Sequence, residues 1–232
     1  VHFIDVGQGD AIAINFPNGK VMLIDAGPQE HNVDYTKYLK EKVLNTKNNK
    51  VIDYLILTHA DADHIGGALK LVKEFDVDII YMPILDKTTN IYTDFKDWVN
   101  KNENYEIISK DINFEVENCE IEIFGLYEYD DENKTCPVIK LTYMDKSFLF
   151  TADVTDDVEE KLLMDYGNKL NADVLKVGHH GSSTSSTKPF IACVSPDYSV
   201  ISVGKDNGYG HPHVEVVELL EAMEIDVFRS DV

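Results

Sequence analysis

Residues 57–67 read Leu-Thr-His-Ala-Asp-Ala-Asp-His-Ile-Gly-Gly, LTHADADHIGG. An apolar run leads into them, Val51-Ile52-Asp53-Tyr54-Leu55-Ile56-Leu57, and reads as a strand buried on both faces. Downstream, Ile65, Ala68, Leu69 and Val72 fall on one side of a helix that begins near His64. The stretch is therefore a strand-to-helix turn that carries His59, Asp61, Asp63 and His64. Their i, i+2, i+4, i+5 spacing sends neighbouring side chains to different sides of a tight turn, so that His59 groups with Asp61 and Asp63 with His64. Such side-by-side clusters suit two divalent ions ~3.5–4 Å apart, bound through imidazole nitrogen and carboxylate oxygen. Gly66-Gly67 permits close backbone approach behind them. A helix cap would need one acid and no histidine.

Outward from this turn the chain alternates between strand-rich and helix-rich stretches. Strands are expected at 2–6, 11–16 and 20–25, then 51–58 and 77–81, with glycine-containing turns at Gly7-Gln8-Gly9 and Pro17-Asn18-Gly19. Helices are expected at 33–44, from near His64, and at 92–100. Short alternating strands follow at 105–108, 112–116 and 119–124, then an acidic loop from Tyr127 to Thr135. A hairpin is expected over 137–143 and 147–151, and a helix over 155–166 with Thr155 as its N-cap. A strand at 172–177, a short helix at 187–193, a strand at 198–203, an amphipathic helix at 213–223 behind Pro212, and strand residues Val227-Phe228 complete the pattern. Two rounds of β-meander followed by helices predict an α+β fold, a four-layer αββα sandwich, as one domain over residues 1–232. The serine- and threonine-rich stretch 182–187 is too short for an interdomain linker and reads as a loop.

Other chemistry-bearing residues also stand at strand ends. Asp153 closes Ser147-Phe148-Leu149-Phe150-Thr151-Ala152, either as a metal-bridging carboxylate or as a cap for the next helix. His179 and His180 end Asp173-Val174-Leu175-Lys176-Val177-Gly178, and packing does not explain two adjacent histidines there; at least one is read as a metal ligand, with the choice between them open. His211 and His213 precede the last long helix, where backbone N–H groups favour an anion; they are read as proton-transfer or substrate-binding groups, against a plain surface loop with cap histidines. Ser182, Asn207 and Tyr209 are read with His211 as substrate contacts. Asp25, after Val21-Met22-Leu23-Ile24, suits an acid that orients ligand histidines, and Lys176 either faces the site or snorkels to solvent.

Composition narrows the partners. Of 232 residues 44% are hydrophobic, enough for a sizeable core, and 21 Lys and Arg stand against 42 Asp and Glu, a net charge of −21. No basic stripe exists to track many phosphates, and Arg229 is the only arginine, so bound divalent ions would have to supply positive charge for a phosphorylated substrate. Cys119, Cys136 and Cys193 lie far apart without a C-x-x-C pair and read as buried small hydrophobes. No apolar run is long enough to span a membrane. The start at Val1 without methionine reads as a segment processed or cut from something longer. Gly7-Gln8-Gly9 lacks the third glycine and the following helix of a dinucleotide site; no phosphate-binding G-x-x-x-x-G-K-[ST] loop and no G-x-S-x-G elbow occur.

The four motifs together, LIDAG at 23–27, H-x-D-x-D-H at 59–64, TAD at 151–153 and a later strand-end histidine, resemble the metallo-β-lactamase superfamily. More narrowly, FIDVGQGDA at 3–11, LKVGHHGS at 175–182 and the NGYGHPH segment at 207–213 are similar to the metallo-β-lactamase domain of ComEC-family competence proteins. The resemblance covers nearly the whole chain and implies the αββα fold. It implies a metal-dependent phosphodiesterase tied to DNA uptake, with His59, Asp61, Asp63, His64, Asp153 and His179 or His180 serving two zinc or manganese ions and Asp25 in support. Asp61 stands where the wider superfamily has histidine, as is usual in the ComEC-like branch. The superfamily's histidine between the H-x-D-x-D-H core and Asp153 has no counterpart near Asn133 to Pro137, so one ion would be completed by water or substrate. Ala152 replaces a glycine usual before the aspartate.

The expected function is a binuclear hydrolase of single-stranded DNA or another phosphodiester, with Asp63 orienting the attacking water and His211 or His213 serving the leaving oxygen. Two alternatives stand beside it: a hydrolase of a small ester, lactone or cell-wall phosphodiester, and a metal-stabilised DNA-binding module with little or no turnover. The resemblance implies an extracytoplasmic or membrane-associated setting in a bacterium, tethered through regions outside these residues, with a cytoplasmic one left open.

Overall fold

A computed structural model describes residues 1–30, 35–44, 50–84, 87–102, 105–127 and 135–232. The chain forms two compact units, Val1–Ser109 and Lys110–Val232, each built on one mixed sheet.

In the first unit, β1 (His2–Phe3), β2 (Ile12–Asn15), β3 (Val21–Ile24), β4 (Val51–Ile56), β5 (Asp76–Pro83) and β6 (Tyr105–Ile108) lie in sequence order. β1, β2 and β3 pair antiparallel; β3 to β6 are parallel neighbours, with Ile24 opposite Ile56. Parallel pairs need crossovers, and helices supply them. α1 (Tyr35–Tyr38) runs into a π-helical turn at Leu39–Val43. α2 (Ala62–Ile65) and α3 (Ala68–Glu74) follow β4, and α4 (Asn90–Asn102) follows β5. Leu23, Leu39, Leu55, Leu57, Ile65 and Phe95 are fully buried in one core.

The second unit orders β7 (Ile112–Val116), β8 (Cys119–Phe124), β9 (Val138–Tyr143), β10 (Lys146–Phe150), β11 (Val174–Lys176), β12 (Tyr198–Ile201) and β13 (Asp226–Arg229) side by side. β7 to β10 form an antiparallel meander, and β10 to β13 run parallel. α5 (Asp156–Tyr166), α6 (Lys188–Val194) and α7 (Val214–Ala222) are the crossovers. Phe124, Leu149, Val158, Leu175, Ile191, Ile201 and Leu220 make its core. Each unit thus repeats one plan, a meander that becomes a parallel sheet, and each has parallel strand ends where open α/β sheets place ligands.

Several expected boundaries move. The strand at 2–6 stops at Phe3 because the Asp5 carboxylate accepts a hydrogen bond from Gly7 N at 3.0 Å and turns the chain. The helix expected from near His64 is two helices broken at Gly66-Gly67. A Cβ on Gly66 would lie 2.3 Å from Ala62 O and 2.4 Å from Gln29 N, so only glycine lets these backbones meet. Thr155 occupies the N-cap position of α5 without a capping bond; its hydroxyl donates to Asp157 at 2.5 Å instead. Residues 33–34 of the expected first helix and 128–134 of the expected acidic loop lie outside the described residues. No helix among the described residues is long and apolar enough to cross a membrane.

Candidate functional site

The first cluster grows from the ends of β3 and β4. Asp25 follows β3 with a left-handed φ of 57° and is fully buried. Its carboxylate accepts three hydrogen bonds: from Thr58 N at 2.9 Å, from the Thr58 hydroxyl at 2.7 Å, and from His64 Nδ1 at 2.8 Å. Because the Thr58 hydroxyl proton is directed at Asp25, Thr58 Oγ1 is left to accept from His59 Nδ1, 3.0 Å away. One carboxylate therefore sets both rings in the tautomer that keeps the lone pair on Nε2. The two rings are buried, with centroids 4.1 Å apart.

Asp61 and Asp63 take different positions. Asp61 sits at the N-cap of α2 but makes no capping bond; its carboxylate lies 3.6 Å from His59 Nε2 and pairs with Lys87. The His59 imidazole, then Lys87, hold its pKa well below the usual carboxylate range. Asp63 is half-buried in the first turn of α2, and its carbonyl accepts from Asp10 N at 3.2 Å.

Asp10 was not among the residues singled out from sequence. It is 2% exposed, and its carboxylate comes within 4.8 Å of a ligand atom of His64. Gly9 makes that approach possible: its φ is 130°, and a Cβ there would lie 2.1 Å from Asp63 O. The Gly7-Gln8-Gly9 stretch thus serves backbone packing against α2. The signal available in sequence was an acid at the entry to the apolar run 11–14, where neither a turn nor a surface strand needs one.

The second cluster grows from the ends of β10, β11 and β12. Asp153 is buried, with His180 Nε2 3.4 Å and His179 Nε2 3.6 Å from its two oxygens. His180 is buried, and its Nδ1 donates to the Ser202 carbonyl at 2.9 Å. A carbonyl only accepts, so this bond also keeps the His180 lone pair on Nε2. His179 is the more exposed ring, with Nδ1 3.3 Å from Thr184 Oγ1. The pair occupies consecutive left-handed positions, φ 48° and 54°, and Ala152 has φ 45°. Left-handed backbone costs roughly 1–2 kcal/mol per non-glycine residue, which explains why glycine suits the position before Asp153.

His211 and His213 stand beside this cluster. The His211 ring meets His179 at 5.7 Å and His213 at 4.9 Å, and its Nδ1 is buried without a hydrogen-bond partner among the described residues. Burial, and then the neighbouring imidazoles of His179, His213 and His180, lower its pKa to about 4. His213 Nδ1 accepts from Ser183 N at 2.9 Å, and its own backbone N–H donates to Gly181 O at 2.9 Å, so it ties the 181–183 turn to the start of α7.

The remaining expected contacts divide by what their side chains touch. Ser182 is 4% exposed, with its hydroxyl 3.0 Å from Thr184 Oγ1. Asn207 donates to the carbonyls of Gly204 and His211 and accepts from the N–H groups of Tyr209 and His211. Tyr209 is 69% exposed. Lys176 is fully buried, and its ammonium donates to Val177 O at 2.9 Å; of its two readings, the one that sends it to solvent is corrected by this burial.

These donors fit divalent ions. His59, His64 and His180 each have Nδ1 held by an oxygen and Nε2 set as the ligand atom, the usual preparation of a metal-binding imidazole. Each stands with a carboxylate of its own unit, Asp61, Asp10 or Asp153, a mixed nitrogen and oxygen set.

A family model described as metallo-beta-lactamase superfamily matches residues 4–205. ComE operon protein 3 of Bacillus subtilis (strain 168) is 32% identical over all of this chain, which spans 32% of that protein. Competence protein ComA of Neisseria gonorrhoeae is 30% identical over 98% of the chain, again 30% of the longer protein. The chain thus spans about a third of the length of these curated relatives. Among solved structures, Igni18, a metallo hydrolase from the archaeon Ignicoccus hospitalis, superposes with a TM-score of 0.61 at 15% identity, covering 98% of this chain and 93% of that one. That likeness shows the fold, the α+β sandwich expected from the strand order.

Proposed function

Because the chain belongs to the metallo-beta-lactamase superfamily, a superfamily of hydrolases, we propose that it is a binuclear phosphodiesterase that cleaves DNA, single-stranded DNA above all. The observation that carries this reading is the shared preparation of His59, His64 and His180, each with Nδ1 engaged by an oxygen at 2.8–3.0 Å, with Nε2 of His59 and of His180 3.6 and 3.4 Å from a carboxylate and a ligand atom of His64 within 4.8 Å of one of Asp10. His59, Asp61, Asp63, His64, Asp153 and His180 are the proposed ligands, Asp10 joins them, and Asp25 positions the rings. His180 is preferred to His179 as a ligand because a carbonyl fixes its tautomer and it is buried. The match over residues 4–205 runs through both compact units and supports one functional domain over 1–232.

Bound divalent ions lower the pKa of water and neutralise charge on a phosphate. An oxygen-rich donor set, with aspartates at 10, 61, 63 and 153, moves preference from zinc towards manganese. The protein's own groups do the rest. Asp63 orients the attacking water. His211, neutral near pH 7, offers a ring N–H to the leaving oxygen as a hydrogen-bond donor, and His213 supports the turn beside it. The competence-protein relatives support a DNA context, and a membrane tether through regions outside these residues accords with their greater length.

The test is turnover. Purified protein with Mn²⁺ or Zn²⁺ is expected to cleave a labelled single-stranded oligonucleotide and bis-p-nitrophenyl phosphate, and to lose both activities on chelation. Absence of turnover with every divalent metal would overturn the reading. The net charge of −21 favours one rival, hydrolysis of a small neutral ester, lactone or cell-wall phosphodiester. Turnover of such a panel well above that of DNA would select it.

A further inference from the structure

Tyr209 is the exposed aromatic of a loop that is otherwise tied down. The Asn207 side chain makes four hydrogen bonds to backbone groups of Gly204, Tyr209 and His211, at 2.6–3.1 Å. This holds the Tyr209 ring against His211, with centroids 5.7 Å apart and planes 22° apart, an offset stack. The stack covers one side of the tyrosine, yet the residue keeps 69% of its surface exposed. A Cβ added at Gly208 or Gly210 would meet nothing within 4 Å, so the backbone on either side of Tyr209 borders open space. On the inner side the ring series continues from His211 to His179 at 5.7 Å, and His179 lies 3.6 Å from Asp153.

We propose that the outer face of Tyr209 is a stacking platform for a nucleobase, which holds a single-stranded substrate with its phosphodiester towards Asp153 and His180. This rests on the phosphodiesterase reading and deepens it by naming the residue that selects a single strand at that site. Two arguments carry it. Charge is the first. With 42 acidic and 21 basic side chains, the surface cannot hold a polyanion by neutralising its phosphates along a groove. Binding must then draw on a term that net charge does not weaken, and base–aromatic stacking is such a term because every base presents a π-face. Accessibility is the second. Bases in a duplex are stacked on one another and paired, so their faces are not available to an exposed ring without unstacking. A single strand, a terminus or an unpaired loop presents them directly.

The experiment measures binding and turnover separately. Anisotropy of a labelled single-stranded oligonucleotide, read with the metal-loaded protein, is compared for wild type, Tyr209→Ala and Tyr209→Phe, and again with a strand that carries an abasic position beside the scissile bond. Circular dichroism melts establish that the exposed substitutions leave the fold intact. Tyr209→Ala is expected to weaken binding about five- to hundredfold and Tyr209→Phe to bind as wild type. The abasic strand is expected to bind wild type as weakly as the normal strand binds Tyr209→Ala. Unchanged affinity in Tyr209→Ala, an equal loss in Tyr209→Phe, or no wild-type affinity for any single strand would overturn the proposal. Stacking-dependent binding without turnover would sink the hydrolase reading and leave the platform standing. Turnover of DNA with Tyr209→Ala equal to wild type would do the reverse.

Discussion

At the scale of single residues, the first cluster is governed by a group that touches neither water nor, by our reading, metal. Asp25 is fully buried and accepts from Thr58 twice and from His64 once. It thereby orients His64 directly and His59 through the Thr58 hydroxyl. Replacing it with asparagine keeps the size and tolerates the left-handed φ of 57°, but removes the charge that makes the imidazoles good ligands. Asp25→Asn is therefore expected to weaken metal affinity by about 10–100-fold, read by competition with a fluorescent chelator, while the protein stays folded. An unchanged affinity would mean that the Thr58 and His64 bonds matter only for packing. Asp25 was legible in the sequence as an acid at a strand's end. Asp10 was not, because its approach to His64 depends on a glycine contact between a loop and a helix more than fifty residues later.

At the scale of elements, α5 and the serine-rich loop 182–187 are joined by a buried acid. Glu159 is 1% exposed and accepts from Ser186 N at 2.5 Å and Thr187 N at 2.8 Å. Desolvation pushes its pKa up to about 7 despite these bonds, and nearby Asp156 adds to the rise. The sign follows from linkage. A carboxyl whose folded pKa lies above its unfolded value of 4.5 favours the fold while protonated, and that contribution is lost as pH rises through about 7. The change amounts to about 3 kcal/mol at 1.36 kcal/mol per unit. Urea unfolding across pH 5–8 should therefore show stability falling with pH in this window, and Glu159→Gln should flatten the slope. The same loop carries Thr184 against His179, so the clamp also positions the second cluster. Periodicity revealed α5 as a helix, but it could not reveal that Glu159 faces inward to satisfy two backbone N–H groups, since acids on helices are normally solvated.

At the scale of the whole molecule, the charge imbalance of −21 sets how DNA would be held. Each phosphate contact on a single strand contributes roughly −0.7 to the slope of log affinity against log salt. Few such contacts are available here, so the slope is expected to be shallower than about −2, measured by anisotropy over a salt series with metal held constant. A steep slope would point to a basic surface that the composition does not contain. The family match and the sheet order agree with the fold expected from two rounds of meander and helices. Expected boundaries moved at Asp5 and at Gly66-Gly67 because a side chain or a close backbone approach there competes with regular hydrogen bonding.

The sequence by itself determined the α+β class, the strand-end placement of His59, Asp153 and His180, and the acidic character that excludes a basic nucleic-acid groove. These follow from local periodicity, from which residue types can bind a metal, and from counting charge. Only the tertiary structure decided which nitrogen each histidine offers, that Asp10 approaches His64, that Lys176 is buried, and that Tyr209 stands open on His211. Those depend on hydrogen bonds and ring contacts between segments remote in sequence, and no pattern within a window of residues encodes the direction in which a side chain points.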